Sequence, residues 1–314
     1  MSSNGHIGIL GSGLIGRSWA MIFASAGYKV IIYDIVAEQV TSALEDIKKQ
    51  LLTCAKDGTI RGKLPAEQQV SLIEGTHVLE KVVENAVFLQ ECIPERLDLK
   101  HELYRNVDVI INKQTILSSS TSTFLPSVLS KDLTCKSQFI VSHPVNPPYY
   151  VPLVEVVPAP WTDSKVLETT LSLMKTIGQS PVKLNREVPG FALNRIQYAI
   201  INECFNLVED GVVNVEDIDK VMTDGLGMRY AFLGPLETAH LNAEGFKNYC
   251  SRYSESMFNV CKTFKPIPKI TGPTADNIAE QLEKITPIDK LPDKRIWRDL
   301  SLMKLSQLKK NNQV

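Results

Sequence analysis

The sequence predicts an α/β fold: a doubly wound sheet over residues 1–187, followed by a smaller all-helical domain over residues 188–314. Three observations lead there. Apolar runs of strand length alternate with helix-period patterns from His6 to Thr176, a Pro-Gly break stands at Pro189 and Gly190, and helical patterns dominate beyond it. Composition bounds the function. The 314 residues are 44% hydrophobic, enough for a core without staples, and 34 basic against 35 acidic residues leave a net charge of -1. No overall field therefore draws the chain to nucleic acid or to an anionic membrane surface, so an anionic ligand must be held by local groups. No apolar run has the length of a membrane span. The six cysteines form no CxxC pair and the five histidines are scattered, which predicts reduced thiols and no metal centre.

In chain order, the first element is the run His6–Leu10, a strand that leads straight into Gly11-x-Gly13-x-x-Gly16. A strand so early leaves no room for a signal or transit peptide, and a cytoplasmic location is expected. An apolar-periodic helix follows to about Ser25, Gly27 breaks it, and a second strand, Lys29 to Tyr33, ends at Asp34. Each glycine has its own reason: Gly11 permits the tight turn, Gly13 lets the backbone approach a pyrophosphate, and Gly16 allows close helix packing. Strand, turn, helix, strand and acid together make this half Rossmann-type, with the phosphates of a dinucleotide at the helix N-terminus. Asp34 is placed to grip the adenosine ribose hydroxyls and to repel a 2′-phosphate, which selects NAD over NADP.

Ala37 to about Lys56 reads as a long helix, followed by a polar, Gly-containing excursion from Gly58 to Pro65. The alternation then resumes. Val87 to Cys92 reads as a strand, Glu95 to Val107 as a surface helix, Thr115 to Ser119 and Phe139 to His143 as strands, and Lys165 to Thr176 as a helix. Ligands of such a sheet lie at the carboxyl ends of its strands, where the serine-rich turn Ser119–Thr123 and His143 both fall. Beyond Gly190 a long helix carries an apolar stripe through Phe191, Ile196, Ala199, Ile200 and Leu207, with Asn194 in or near its first turn. The domain boundary is expected near residues 185–190.

The stretch SHPVNPPYYVPLVEVV, residues 142–157, sets His143 at the end of one apolar run and Glu155 inside another, with four prolines between them. A carboxylate in a buried strand is costly unless a partner satisfies it. An imidazole on a proline-stiffened connection is such a partner: Glu155 would fix its tautomer and leave the other ring nitrogen free as a base near neutral pH. Taken singly, a strand glutamate also fits an exposed edge and a histidine before proline also fits a loop. The rest of the chain has to decide.

The glycine fingerprint, the serine turn, HPVNP running on to Glu155, and GFALNR, laid in this order, resemble the 3-hydroxyacyl-CoA dehydrogenase superfamily over nearly the whole chain. The resemblance implies an NAD-dependent oxidoreductase that forms a homodimer through its helical domain. It makes His143 the general base, Glu155 its orienting partner, Ser122 and Asn194 the groups that bond the substrate oxygen, and Asn146 a further substrate contact. Leu14, Ile15, Asp34, Glu95 and Lys100 match its cofactor-binding positions. Read alone, Glu95 and Lys100 would be solvated charges on a surface helix. Where the acyl-CoA enzymes typically continue HFFNP, this chain has HPVNPPYY, and a later segment reads GLGMRYAFLGP. The stiffer wall and the fork of Arg229, which suits bidentate carboxylate binding, lead to the expectation of a free sugar acid as substrate. The alternatives are a short-chain 3-hydroxyacyl-CoA or 3-hydroxyacid dehydrogenase and a structural protein that binds NADH without turnover. A lysine base four residues before Asn194 is absent, because position 190 is glycine.

Overall fold

Strand β1 (His6–Leu10) lies within an eight-stranded sheet in a computed structural model that describes residues 5–311. The sheet runs β3 (Ile73–Thr76), β2 (Val30–Tyr33), β1, β4 (Ala86–Glu91), β5 (Ile116–Ser119), β6 (Phe139–Pro144), β7 (Leu153–Pro158) and β8 (Ser180–Lys183). Strands β1 to β6 are parallel, β7 is antiparallel to β6, and β8 is parallel to β7. The chain winds one way from β1 to β3 and the other way from β4 onward, so the carboxyl ends of β1 and β4 flank the crevice where such sheets take ligands.

Alternation along the strands sends side chains to two covered faces. Phe88, Ile116, Ile140 and Val156 pack with α1 (Leu14–Ser25), α2 (Ala37–Lys56) and α7 (Ser164–Thr176) through Trp19, Phe23, Ile47, Leu51 and Met174. Leu89, Leu117, Val141 and Val157 pack on the other face with Tyr104 and Val107 of α5 (Leu97–Ile110) and Leu129 of α6 (Pro126–Ser130). Two short helices, α3 (Ala66–Ser71) and α4 (Leu79–Val83), complete the connections around β3.

Close approach explains the third glycine of the fingerprint. A Cβ on Gly16 would stand 1.9 Å from the Gly11 carbonyl oxygen, and Gly11 itself has φ +109, a region that L side chains avoid. Nothing lies within 4 Å of the same construction on Gly13, whose backbone faces open space.

The excursion from Gly58 to Pro65 is tied down by Arg61, whose guanidinium donates to the carbonyls of Tyr149, Ile177 and Gly178 at 3.1, 3.2 and 2.8 Å. Tyr149 sits in the proline-rich connection between β6 and β7, so that connection is anchored by cross-links as well as stiffened by its prolines.

One expectation needs correction. The helix read as Glu95 to Val107 begins at Leu97, and it is not a surface helix along Lys100, Tyr104 and Val107, which form its buried stripe. Glu95 stands in the turn before it. The spacing i, i+4, i+7 is that of a core face, but a lysine at its head hides the pattern.

The chain divides into two compact units, the first ending at Arg195 and the second beginning at Ile196, within α8 (Leu193–Glu209). The regular elements of the second unit are all helical among the described residues: α9 (Val215–Lys220), a π-helical turn over 221–226, α10 (Gly227–Tyr230), α11 (Pro235–Leu241), α12 (Phe246–Cys261), α13 (Pro273–Ile285), a single 3-10 turn and α14 (Leu291–Asn311). Its buried apolar cluster is small, built on Val208, Val215 and Ile218.

Candidate active site

The antiparallel register of β6 on β7 sets His143 directly opposite Glu155, so residues twelve apart in sequence become cross-strand neighbours. Both are buried, at 5% and 2% exposure, and His143 Nδ1 stands 2.8 Å from Glu155 Oε2. Glu155 Oε1 accepts the backbone N–H groups of Ala192 and Leu193 at 2.8 and 2.9 Å, at the start of the seventeen-residue α8. Burial pushes the Glu155 carboxyl up, but the bond from His143 and the two amides outweigh it and hold the group below the usual carboxylate range. An ionised Glu155 is an acceptor, so the proton sits on Nδ1, and Nε2 has no hydrogen bond among the described residues. Gly190 and Phe191, at φ +76 and +51, turn the chain so that the two amides aim at Glu155. Phe191 is fully buried with its ring 5.6 Å from the imidazole, and for a non-glycine residue that backbone costs roughly 1 kcal/mol or more.

The serine-rich segment ILSSSTST uses every hydroxyl of its 118–123 stretch. Ser118 donates to Ser142 Oγ at 2.9 Å, Ser119 to Glu91 Oε2 at 2.6 Å, and Ser120 Oγ accepts from Gln90 and Trp19 at 2.7 and 3.2 Å. The next three wrap one carboxylate oxygen. Glu95 Oε1 accepts the hydroxyls of Thr121, Ser122 and Thr123 at 2.5, 3.4 and 3.2 Å and the amides of Ser122 and Thr123 at 2.9 and 3.3 Å. Its Oε2 lies 3.3 Å from Lys100 Nζ. Burial pushes Glu95 up, yet the Thr121 bond, the Lys100 charge and the Ser122 amide more than offset this and lower it. Asn194 Nδ2 donates to the Ser122 carbonyl at 2.9 Å. Bonds and adjacent residues thus run from Glu95 through Ser122 and Asn194 to Leu193, Glu155 and His143.

At the cofactor end, Ser12 donates its N–H and its hydroxyl to Asp34 Oδ2 at 2.9 and 2.7 Å, fixing the carboxylate at the end of β2. Arg17 Nε donates to the Ser12 carbonyl at 2.8 Å, and its guanidinium is paired with Asp46. The first turn of α1 holds no acidic residue, so its amides and positive dipole end are available to a phosphate. Leu14 and Ile35 are exposed at 58% and 83%, beside the glycine turn and Asp34, while Ile15 is half-buried. These groups fit NAD: a glycine turn with open space at Gly13, a helix N-terminus, and an oriented carboxylate for the ribose.

Two expected substrate residues make no bond in these networks among the described residues. Asn146 is exposed in the connection between β6 and β7, and Arg229 is exposed on α10 of the second unit, without an ion pair among the described residues. One residue was missed by sequence reasoning. Glu91, wholly buried at the carboxyl end of β4, holds Lys100 Nζ at 2.7 Å. The signal was available: an acid closing an apolar strand at the ligand edge, the same pattern that singled out Glu155.

Residues 6–188 match the model of the 3-hydroxyacyl-CoA dehydrogenase NAD binding domain, and residues 190–271 that of the 3-hydroxyacyl-CoA dehydrogenase C-terminal domain. The chain is 53% identical to a lambda-crystallin homolog of Rattus norvegicus, over 97% of this chain and 96% of the relative. It is 36% identical to a 3-hydroxyacyl-CoA dehydrogenase of Gibberella moniliformis, over 80% and 78%. Among solved structures, an NAD+ dependent 5-formyl-3-hydroxy-2-methylpyridine 4-carboxylic acid 5-dehydrogenase superposes with a TM-score of 0.80 over 98% of this chain and 99% of the other, at 23% identity, a likeness of fold.

Proposed function

The chain belongs to the 3-hydroxyacyl-CoA dehydrogenase family of NAD-dependent dehydrogenases, and on that premise we propose that its substrate is a free sugar acid, L-gulonate, oxidised at the 3-hydroxyl to 3-dehydro-L-gulonate. The observation that carries the reading is the buried His143–Glu155 pair at 2.8 Å, with the second ring nitrogen unpartnered among the described residues. NAD, when bound, supplies the hydride acceptor. His143 Nε2 takes the hydroxyl proton as the alcohol is oxidised, and Glu155, anchored on two amides, offsets the imidazolium charge that forms. Ser122 and Asn194 hold the substrate oxygen as it changes from hydroxyl to carbonyl. Among the described residues, Asn194 has one N–H and its carbonyl oxygen left after bonding Ser122, and the Ser122 hydroxyl has only a long 3.4 Å bond to give up. Glu95 and Lys100 would act on the cofactor side, and Asn146 on the substrate side.

Sequence supports the sugar acid over the thioester: the likeness extends to lambda-crystallin, read as the L-gulonate 3-dehydrogenase, and HPVNPPYY replaces the HFFNP of the acyl-CoA enzymes. Arg229 would pair with the acid's carboxylate. NADH formation by the purified protein, measured with L-gulonate, 3-hydroxybutyrate and 3-hydroxybutyryl-CoA, is expected to be fastest with L-gulonate. A faster thioester reaction sinks the sugar-acid reading, and NADH binding without turnover of any of the three favours a structural role. In the same assay Arg229→Ala is expected to raise KM for the acid roughly tenfold or more; an unchanged KM removes Arg229 from the site.

The working unit in this reading is a homodimer. Helices α12 and α13 bury no residue, and Phe246, Tyr253, Met257, Phe258, Leu282 and Ile285 on them are exposed. Apolar surface on that scale marks an interface, and the helical unit is where the family resemblance puts the dimer contact. Light scattering at micromolar concentration is expected to return twice the chain mass. A monomer at that concentration contradicts it.

A further inference from the structure

We propose that Glu91 is a positioning residue that sets the place of Ser122, through a relay that runs from the buried Lys100 to Glu95 at the surface. The inference rests on the reading of Ser122 as a substrate-oxygen contact and adds a residue behind it. Glu91 is 0% exposed and its carboxylate accepts four donors: Lys100 Nζ and the Ile93 amide on Oε1, both at 2.7 Å, and the Ser119 and Tyr104 hydroxyls on Oε2 at 2.6 and 2.5 Å. Burial, and then the Glu91 charge, push the Tyr104 phenol well above its usual range, so it remains a donor.

From this point three routes reach the serine turn. The first is backbone: the Ser120 amide donates to the Glu91 carbonyl at 2.8 Å. A second passes through Ser119, whose Oγ donates to Glu91 and accepts the Thr121 amide at 3.1 Å. The third passes through charge. Glu91 and the Ile93 carbonyl hold Lys100 Nζ, which faces Glu95 Oε2 at 3.3 Å, and the other oxygen of Glu95 carries the turn from Thr121 to Thr123. Lys100 thus limits where Glu95 can stand, and Glu91 limits where Lys100 can stand.

A buried ion pair is a weak source of net stability, since apolar replacements of both partners often do as well. Its geometric effect is more specific. It lies at the carboxyl end of β4, the edge of the sheet where ligands bind, and it holds one turn from both its beginning and its middle. The hydroxyls of Ser119, Thr121, Ser122 and Thr123 are all engaged by the relay's two carboxylates, Glu91 and Glu95.

Glu91→Gln keeps the shape and leaves Lys100 its bonds to Glu95 and the Ile93 carbonyl. The substitution is expected to lower kcat about tenfold, because the hydroxyl that must meet the reacting oxygen is displaced by a fraction of an ångström. In a Ser122→Ala background the same substitution is expected to cost less than about twofold, since residues acting in series are not additive. Hydrogen exchange at the Ser122 and Thr123 amides is expected to quicken while the β4 and β5 amides keep their protection. Ser119→Ala, which leaves the ion pair intact, repeats the pattern in milder form. Additive losses in the two backgrounds, or unchanged exchange at Ser122 and Thr123 in folded Glu91→Gln, overturn the proposal. A fully active Ser122→Ala protein instead overturns the reading of Ser122 in the reaction, and the exchange data then decide the relay alone.

Discussion

Asparagine in place of His143 is expected to lower the rate of NADH formation by about three to four orders of magnitude while NADH binding changes less than about twofold, the upper part of the range that a positioned base contributes. The choice of residue follows from the geometry. Glu155 is 2% exposed and would be left with an unpaired oxygen if position 143 lost its donor, a change that destabilises by itself. An asparagine amide can still donate toward Oε2, while Ala192 and Leu193 continue to hold Oε1, so the carboxylate stays satisfied. What the variant lacks is the ring nitrogen that takes the hydroxyl proton. Loss of rate with the fold intact therefore isolates base catalysis from orientation and packing. A folded His143→Asn protein that binds NADH and keeps a tenth or more of the wild-type rate would rule this base out, and with it the role given to Glu155.

How much of this could be read from the sequence depended on whether a feature is local. The glycine turn was legible because its three glycines answer to sterics within one strand-turn-helix unit: β1 was placed at His6–Leu10 and α2 at Ala37–Lys56, where the structure has them. The His143–Glu155 pair was legible for another reason. Two apolar runs joined by a short stiff connection have few ways to pair, and a lone acid in one needs a partner that the other supplies. Strands β3 and β8 escaped notice because they are edge strands, IEGT and SPVK, with too few apolar residues to show a pattern. The Glu91–Lys100 pair escaped for a deeper reason. Lys100 looks solvated when read alone, and although Glu91 closes an apolar strand, the side chains that satisfy it come from α5 and the end of β5, which only the folded sheet brings together.

That same pair yields the largest stability change expected in the first unit. Lys100→Met fills most of the lysine's volume but removes the counter-charge of Glu91, which is 0% exposed and cannot turn to water. Breaking a buried pair from one side costs about 3–5 kcal/mol because the remaining charge is left uncompensated, and for a unit of this size that lowers the melting temperature on the order of 10 °C. The three other donors on Glu91, from Ile93, Ser119 and Tyr104, soften the loss without supplying charge. Adding Glu91→Gln to Lys100→Met removes the stranded charge while keeping an acceptor for the Ile93 amide, so the double variant is expected to be more stable than Lys100→Met alone. Urea unfolding of the single and double variants makes the comparison. A loss below about 1 kcal/mol for Lys100→Met would be the value of an exposed surface pair, which means that water reaches Glu91 in solution; Lys100 could then no longer be the link between Glu91 and Glu95.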